Sequence, residues 1–224
     1  MFKVSSLSAI VMALGVTVAH AQDQKSQSRV DDQGGLHLPH AAIPYSDLAS
    51  PEARQNYIDF ERGFESLGQR PATWKARPGE SKIQQQRRWL DEQLMIPWLE
   101  RLRASFAVNI EPKVIGGVQT DVVTPANGIR KGNEHRVLIN LHGGGMQVGA
   151  RYGGQQESVP IASIGGIKVI TVDYRMAPEH RYPAATEDVV AVYRELLGRY
   201  RPENIAIYGC SAVACLTRYA LPFF

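Results

Sequence analysis

RVLINLHGGG, residues 136–145, is a nearly continuous apolar run that ends abruptly in one histidine and three glycines. Branched residues with no polar alternation suit a strand covered on both faces. Two later stretches repeat the pattern: IKVITVDY at 167–174 and NIAIY at 204–208, the last running directly into Gly209-Cys210-Ser211-Ala212. Helix-length segments separate the three, and Glu187 to Tyr200 places Val189, Val190, Val192, Tyr193, Leu196 and Leu197 on one side. Apolar strands alternating with helices predict an α/β fold with a mostly parallel sheet and flanking helices. Upstream, Val114-Ile115 and Val118 to Val123 straddle Gly116-Gly117, as two strands joined by a tight turn do.

The segments that end these strands carry the candidate chemistry. Consecutive glycines in His142-Gly143-Gly144-Gly145 let a backbone approach a ligand and aim its N–H groups at one point. Acyl transfer needs such donors for the oxyanion of its tetrahedral intermediate; a plain Gly-rich turn is the alternative. Small residues around Ser211 suit a sharp strand-to-helix turn that lifts a hydroxyl above the sheet edge. A full G-x-S-x-G would place glycine at 213, where this chain has Val213, so GCSAV alone is a weak motif. Asp173-Tyr174-Arg175-Met176-Ala177-Pro178-Glu179-His180, continuing to Glu187-Asp188, reads as a strand end, a proline-fixed loop and a helix start whose charges hold the loop in place. His180 is set aside as a general base because it precedes the serine, whereas the order Ser…Asp/Glu…His puts the base after it.

Taken together, HGGG, DYRMAPEHRYPAATED and GCSA in this order resemble the hormone-sensitive-lipase-like esterases of the α/β-hydrolases, over about Val108 to Ala212. The resemblance implies a carboxylic-ester hydrolase acting on short to medium acyl esters, with a small-molecule ester as partner and no metal or organic cofactor. It implies Ser211 as nucleophile and the backbone N–H groups of Gly144, Gly145 and Ala212 as the oxyanion hole. The family continues Ser-Ala-Gly-Gly, but here Val213-Ala214-Cys215 follows, and Leu216 to Phe224 contains neither histidine nor acid. Deleting one C from GCC GGT GGC ATG C, which encodes Ala-Gly-Gly-Met, gives GCG GTG GCA TGC, the Ala-Val-Ala-Cys of 212–215. The expectation is an incomplete α/β-hydrolase domain over 107–224, the N-terminal half only, ended by a frameshift. A catalytically inactive remnant or a non-catalytic binding module is the competing reading.

The remaining regions divide by composition. Residues 1–21 read as a signal peptide: Lys3, the apolar run Leu7 to Val18, and the small-x-small site Ala19-His20-Ala21. That run is too short to span a bilayer core of about 30 Å, so no stable membrane anchor is expected and the chain is placed in the periplasm or outside the cell. Residues 22–50 are polar and read as a flexible leader. Residues 51–106 read as a helical cap-like segment: Ser50-Pro51 starts one helix, and a second runs from about Ser81 to Phe106 with an interruption at Pro97. Its Trp89, Leu90, Leu94, Trp98, Leu99 and Leu102 form an apolar packing stripe, and its basic cluster Lys82, Arg87 and Arg88 reads as a solvated face. A net charge of +3 over 224 residues, scattered among acids, gives no footprint for nucleic acid. The only cysteines, Cys210 and Cys215, form neither a disulfide framework nor a metal motif. Composition leaves oligomeric state unread.

Overall fold

A computed structural model of the chain describes residues 29–38, 41–67 and 74–211; the expected signal peptide, Ala212 and the Val213 to Phe224 ending lie outside them. The chain divides into two compact units, Met1–Trp74 and Lys75–Phe224. The helices expected as one cap segment therefore fall into separate units.

In the first unit, β1 (Arg29–Val30), β2 (Leu36–Leu38) and β3 (Ala41–Ile43) form a small antiparallel sheet. Within the expected leader, Arg29–Val30, Leu36–Leu38 and Ala41–Ile43 thus form strands. Its turn chemistry is the reason. The Asp31 carboxylate accepts the N–H groups of Gln33 and Gly35 at 2.8 Å and meets His37 Nε2 at 2.6 Å. A polar composition can hold a short hairpin when a carboxylate satisfies the turn's donors. Helix α1 (Pro51–Leu67) starts as its sequence implies, with Ser50 Oγ accepting the Ala53 N–H and proline in the first turn, where no donor is missed.

The second unit opens with α2 (Lys82–Leu90), capped reciprocally by Ser81 and Gln84. A wide π-helical turn, Asp91–Met95, leads into α3 (Ile96–Ser105). Pro97 has no N–H and its ring clashes with the carbonyl four residues back. The ladder widens before it, with the Ile96 N–H reaching Asp91 O, so the rod continues where an interruption was expected. Trp89 and Leu99 are buried, as the apolar stripe requires.

Five strands follow: β4 (Val108–Ile115), β5 (Val118–Pro125), β6 (Val137–Leu141), β7 (Lys168–Val172) and β8 (Ile205–Gly209). Their order is β4-β5-β7-β6-β8, with β4–β5 and β5–β7 antiparallel and β7–β6 and β6–β8 parallel. The sheet is mixed, its parallel part the three apolar stretches read from sequence. Gly116 and Gly117 both have positive φ, 58° and 79°, as the two-residue turn between β4 and β5 demands. A side chain at Gly116 would also meet the Ala191 carbonyl of α5 (Ala184–Leu197) at 2.4 Å.

Period-two alternation assigns the faces of β6. Val137, Ile139 and Leu141 are fully buried in one cluster with Val189, Val192 and Leu196 of α5. Leu138 packs into the other, with Val159 and Ala162 of α4 (Tyr152–Gly165) and Leu99 of α3. Each such side chain contributes about 1.5–3 kcal/mol, so β6 is held firmly from both faces. Every loop that follows a parallel strand emerges at one sheet edge. Among the described residues, no helix is long and apolar enough to cross a membrane.

Candidate active site

Three loops meet at that edge: 142–149 after β6, 173–183 after β7, and Cys210-Ser211 after β8. His142 is almost wholly buried and its ring stacks on Tyr174, centroids 4.2 Å apart and 6° from parallel. Its Nδ1 lies 2.8 Å from Gly143 O, and the Tyr174 hydroxyl donates to His142 O at 2.6 Å. Burial pushes its pKa down to about 4, so at neutral pH the ring is uncharged and Nδ1 carries the proton it donates to Gly143 O. Nε2 is buried without a partner among the described residues. The ring pins the start of the loop.

The Gly143 N–H donates to Glu157 Oε1 at 3.2 Å, while Glu157 Oε2 accepts from Asn140 Nδ2 at 2.8 Å and Asn140 Oδ1 from Thr171 Oγ1 at 2.9 Å. A polar chain thus crosses from β7 through β6 to α4 and ends on the first glycine. That donor is committed. By contrast, among the described residues neither the Gly144 nor the Gly145 N–H has an acceptor. Gly144 is forced: its φ is 108°, and a side chain would lie 2.2 Å from the Val148 carbonyl. Gly145 and Met146 also have positive φ, 61° and 59°.

Ser211 follows β8 at φ 62°, a strained conformation for a residue with a β-carbon and one that a sharp turn imposes. A methyl group on Gly143 would stand 3.3 Å from the Cys210 carbonyl and 3.6 Å from the Ser211 β-carbon. The serine turn and the glycine loop are therefore in contact. They are brought together because β6 and β8 are parallel neighbours in register, Leu141 opposite Gly209.

The third loop braces the glycine loop. Arg175 donates its N–H to Asp188 Oδ2 at 2.8 Å, and its guanidinium to both Asp188 oxygens and to Glu187. Ala177 N–H donates to Met146 O at 2.8 Å. Asp173 accepts the Arg151 N–H at the start of α4, and burial pushes its carboxyl up to about 6. From the helical side, Arg87 of α2 reaches Gln147 O, Ala177 O and Glu179. Of the basic cluster read as solvated, Lys82 is exposed, but Arg87 and Arg88 turn inward: their side chains are 21% and 14% exposed, Arg88 paired with Glu80.

The fold is that of an α/β-hydrolase. Residues 138–220 match the family described as alpha/beta hydrolase fold. The chain resembles an esterase from the bacterial hormone-sensitive lipase family, with a TM-score of 0.55 and 29% identity over 77% of this chain and 52% of that one. Its sequence is similar to versiconal hemiacetal acetate esterase of Emericella nidulans, 29% identical over 47% of this chain and 36% of that protein. It is also similar to an acetyl-hydrolase of Streptomyces hygroscopicus, 34% identical over 48% of this chain and 34% of that protein. The chain spans about a third of the length of these curated relatives.

Of the sequence-predicted residues, His142, Gly143, Gly144, Gly145 and Ser211 come together; Ala212 lies outside the described residues. Glu157 and Arg87 were not legible as part of the site. Asn140 offered a signal: a lone amide inside RVLINL must find a buried partner.

Proposed function

We propose that this protein hydrolyses carboxylic esters of small-molecule alcohols, with short to medium acyl chains, through Ser211. The observation that carries the reading is the contact between a left-handed serine turn and a glycine loop whose Gly144 and Gly145 N–H groups lack acceptors among the described residues. The Ser211 hydroxyl attacks the acyl carbon. The carbonyl oxygen becomes an oxyanion that accepts from Gly144, Gly145 and Ala212; its collapse expels the alcohol and leaves an acyl-serine for water to cleave. His142 is not the base, since its basic nitrogen Nε2 is buried and meets no hydroxyl among the described residues, Ser211 included. In a Ser…acid…His order the base and its orienting acid follow the serine; residues 212–224 hold neither, so both would come from the family continuation that Val213-Ala214-Cys215 replaces. The names of the two curated relatives, an acetate esterase and an acetyl-hydrolase, favour acetyl within the acyl range.

A fluorophosphonate probe with p-nitrophenyl acetate and butyrate tests the reading. Labelling at Ser211, lost in Ser211→Ala, is expected in a chain with glycine restored at 213 and the C-terminal strands present. Label that survives and maps to Ser158 or Ser163 overturns it, and neither label nor turnover turns the conclusion to a non-catalytic module. We propose export as well, on the pattern Lys3, Leu7 to Val18 and Ala19-His20-Ala21. N-terminal sequencing of exported protein should find Gln22 first; a chain still starting at Met1 contradicts it.

A further inference from the structure

Arg87 belongs to no catalytic motif, yet it makes four of the bonds around the glycine loop. Its Nε donates to Gln147 O at 2.6 Å, Nη2 to Ala177 O at 2.9 Å and to Glu179 Oε2 at 2.8 Å, and Nη1 to Glu179 Oε1 at 2.8 Å. An ion pair with Glu179 alone would be an ordinary surface contact of small consequence. Here the same guanidinium also fixes two peptide carbonyls, one on the glycine loop and one on the loop after β7. A planar cation with donors in a fixed fork meets all three acceptors at once; an ammonium cannot.

The bonded carbonyl matters because of where it sits. Gln147 and Val148 close a turn by donating their N–H groups to Gly144 O, both at 3.1 Å. Within that turn Gly144, Gly145 and Met146 all have positive φ, and Met146 holds that conformation against its own β-carbon. A turn of this kind persists only where its surroundings hold it. Met146 O is held by the Ala177 N–H and Gly143 N–H by Glu157, which leaves Arg87 as the brace on the far arm.

We propose that Arg87 is a positioning residue for the oxyanion hole. By gripping Gln147 O and Ala177 O it aims the Gly144 and Gly145 N–H groups at the point where charge develops, and so links the α2 helix to catalysis. The proposal rests on the esterase reading of Ser211 and those two glycines. Arg87→Lys and Arg87→Ala in the full chain test it, read by Ser211 labelling rate, by kcat and KM for p-nitrophenyl acetate, and by thermal melting. In both variants kcat should fall about 10–100-fold with KM within about threefold, because misaimed donors penalise the transition state and not substrate binding. Millimolar guanidinium or methylguanidinium should restore part of the lost kcat to Arg87→Ala and leave the parent unchanged. Variants that keep kcat within about twofold, that lose only KM, or that lose kcat with their melting transition and without rescue overturn it. A parent chain that neither labels nor turns over ester sinks the esterase reading and this proposal with it. A parent labelled at Ser211 whose variants keep pace sinks this proposal alone.

Discussion

A histidine that is fully buried and uncharged makes stability depend on pH in a definite direction. His142 has its pKa pushed from 6.5 to about 4, chiefly by burial. Below pH 6.5 the unfolded chain gains a proton that the folded chain refuses, so this contribution is present above 6.5 and is lost as pH falls toward 4. The magnitude is on the order of 2–3 kcal/mol. Asp173 works the other way. Its carboxyl is raised from 3.8 to about 6 by burial, so its contribution is present below 3.8 and is lost as pH rises through 6. The two offset each other between pH 4 and 6. Melting curves of the parent and of His142→Phe, taken from pH 7.5 down to 4.5, separate them. The parent is expected to lose little stability through this range, chiefly between pH 6.5 and 6, and His142→Phe to gain stability as pH falls below 6; equal slopes would contradict the assignment. Asp173→Asn should steepen the acid loss.

Helix α4 is where local sequence signals and packing part company. The three parallel strands were legible because an unbroken apolar run leaves few choices, and the α5 helix because its apolar side repeats at helical spacing. The α4 sequence instead contains Gly153, Gly154 and an internal Pro160, each a poor helix former, and no clear stripe. The glycine that weakens the helix signal is there for the sheet. A side chain on Gly154 would lie 2.0 Å from Thr171 Oγ1, and Thr171 is the donor that orients Asn140 toward Glu157. The polar chain under Gly143 therefore depends on a helix that could not be recognised without its tertiary setting. Gly154→Ala should push α4 away from β7 and cost about 1–3 kcal/mol, despite the higher helix propensity of alanine. A denaturant titration checks the sign: a midpoint unchanged or raised would show that α4 has room to spare. The glycine loop and serine turn were readable one by one, but their contact needed the β6–β8 register, and Arg87 needed a helix more than fifty residues away.

At the scale of the whole chain, the site is built entirely by the second unit. Both buried clusters draw only on residues after Trp74, from Leu99 of α3 to Ile207 and Tyr208 of β8. The start of α2 is also self-contained, since Ser81 and Gln84 cap each other and Arg88 is held by Glu80 and the Lys75 carbonyl. The bonds that brace the glycine loop come from Arg87, Glu157 and Ala177, all in the same unit. Among the described residues, the two buried clusters of the sheet include none from β1–β3 or α1. A chain starting at Lys75 is therefore expected to keep the cooperative transition of the parent, with a midpoint within about 4 °C, the shift that roughly 1 kcal/mol produces at this size. Circular dichroism melts of the two chains side by side make the comparison, and fluorophosphonate labelling at Ser211 reports on the site in each. A shortened chain that melts without cooperativity while the parent does not would mean that the first unit supplies part of the stability.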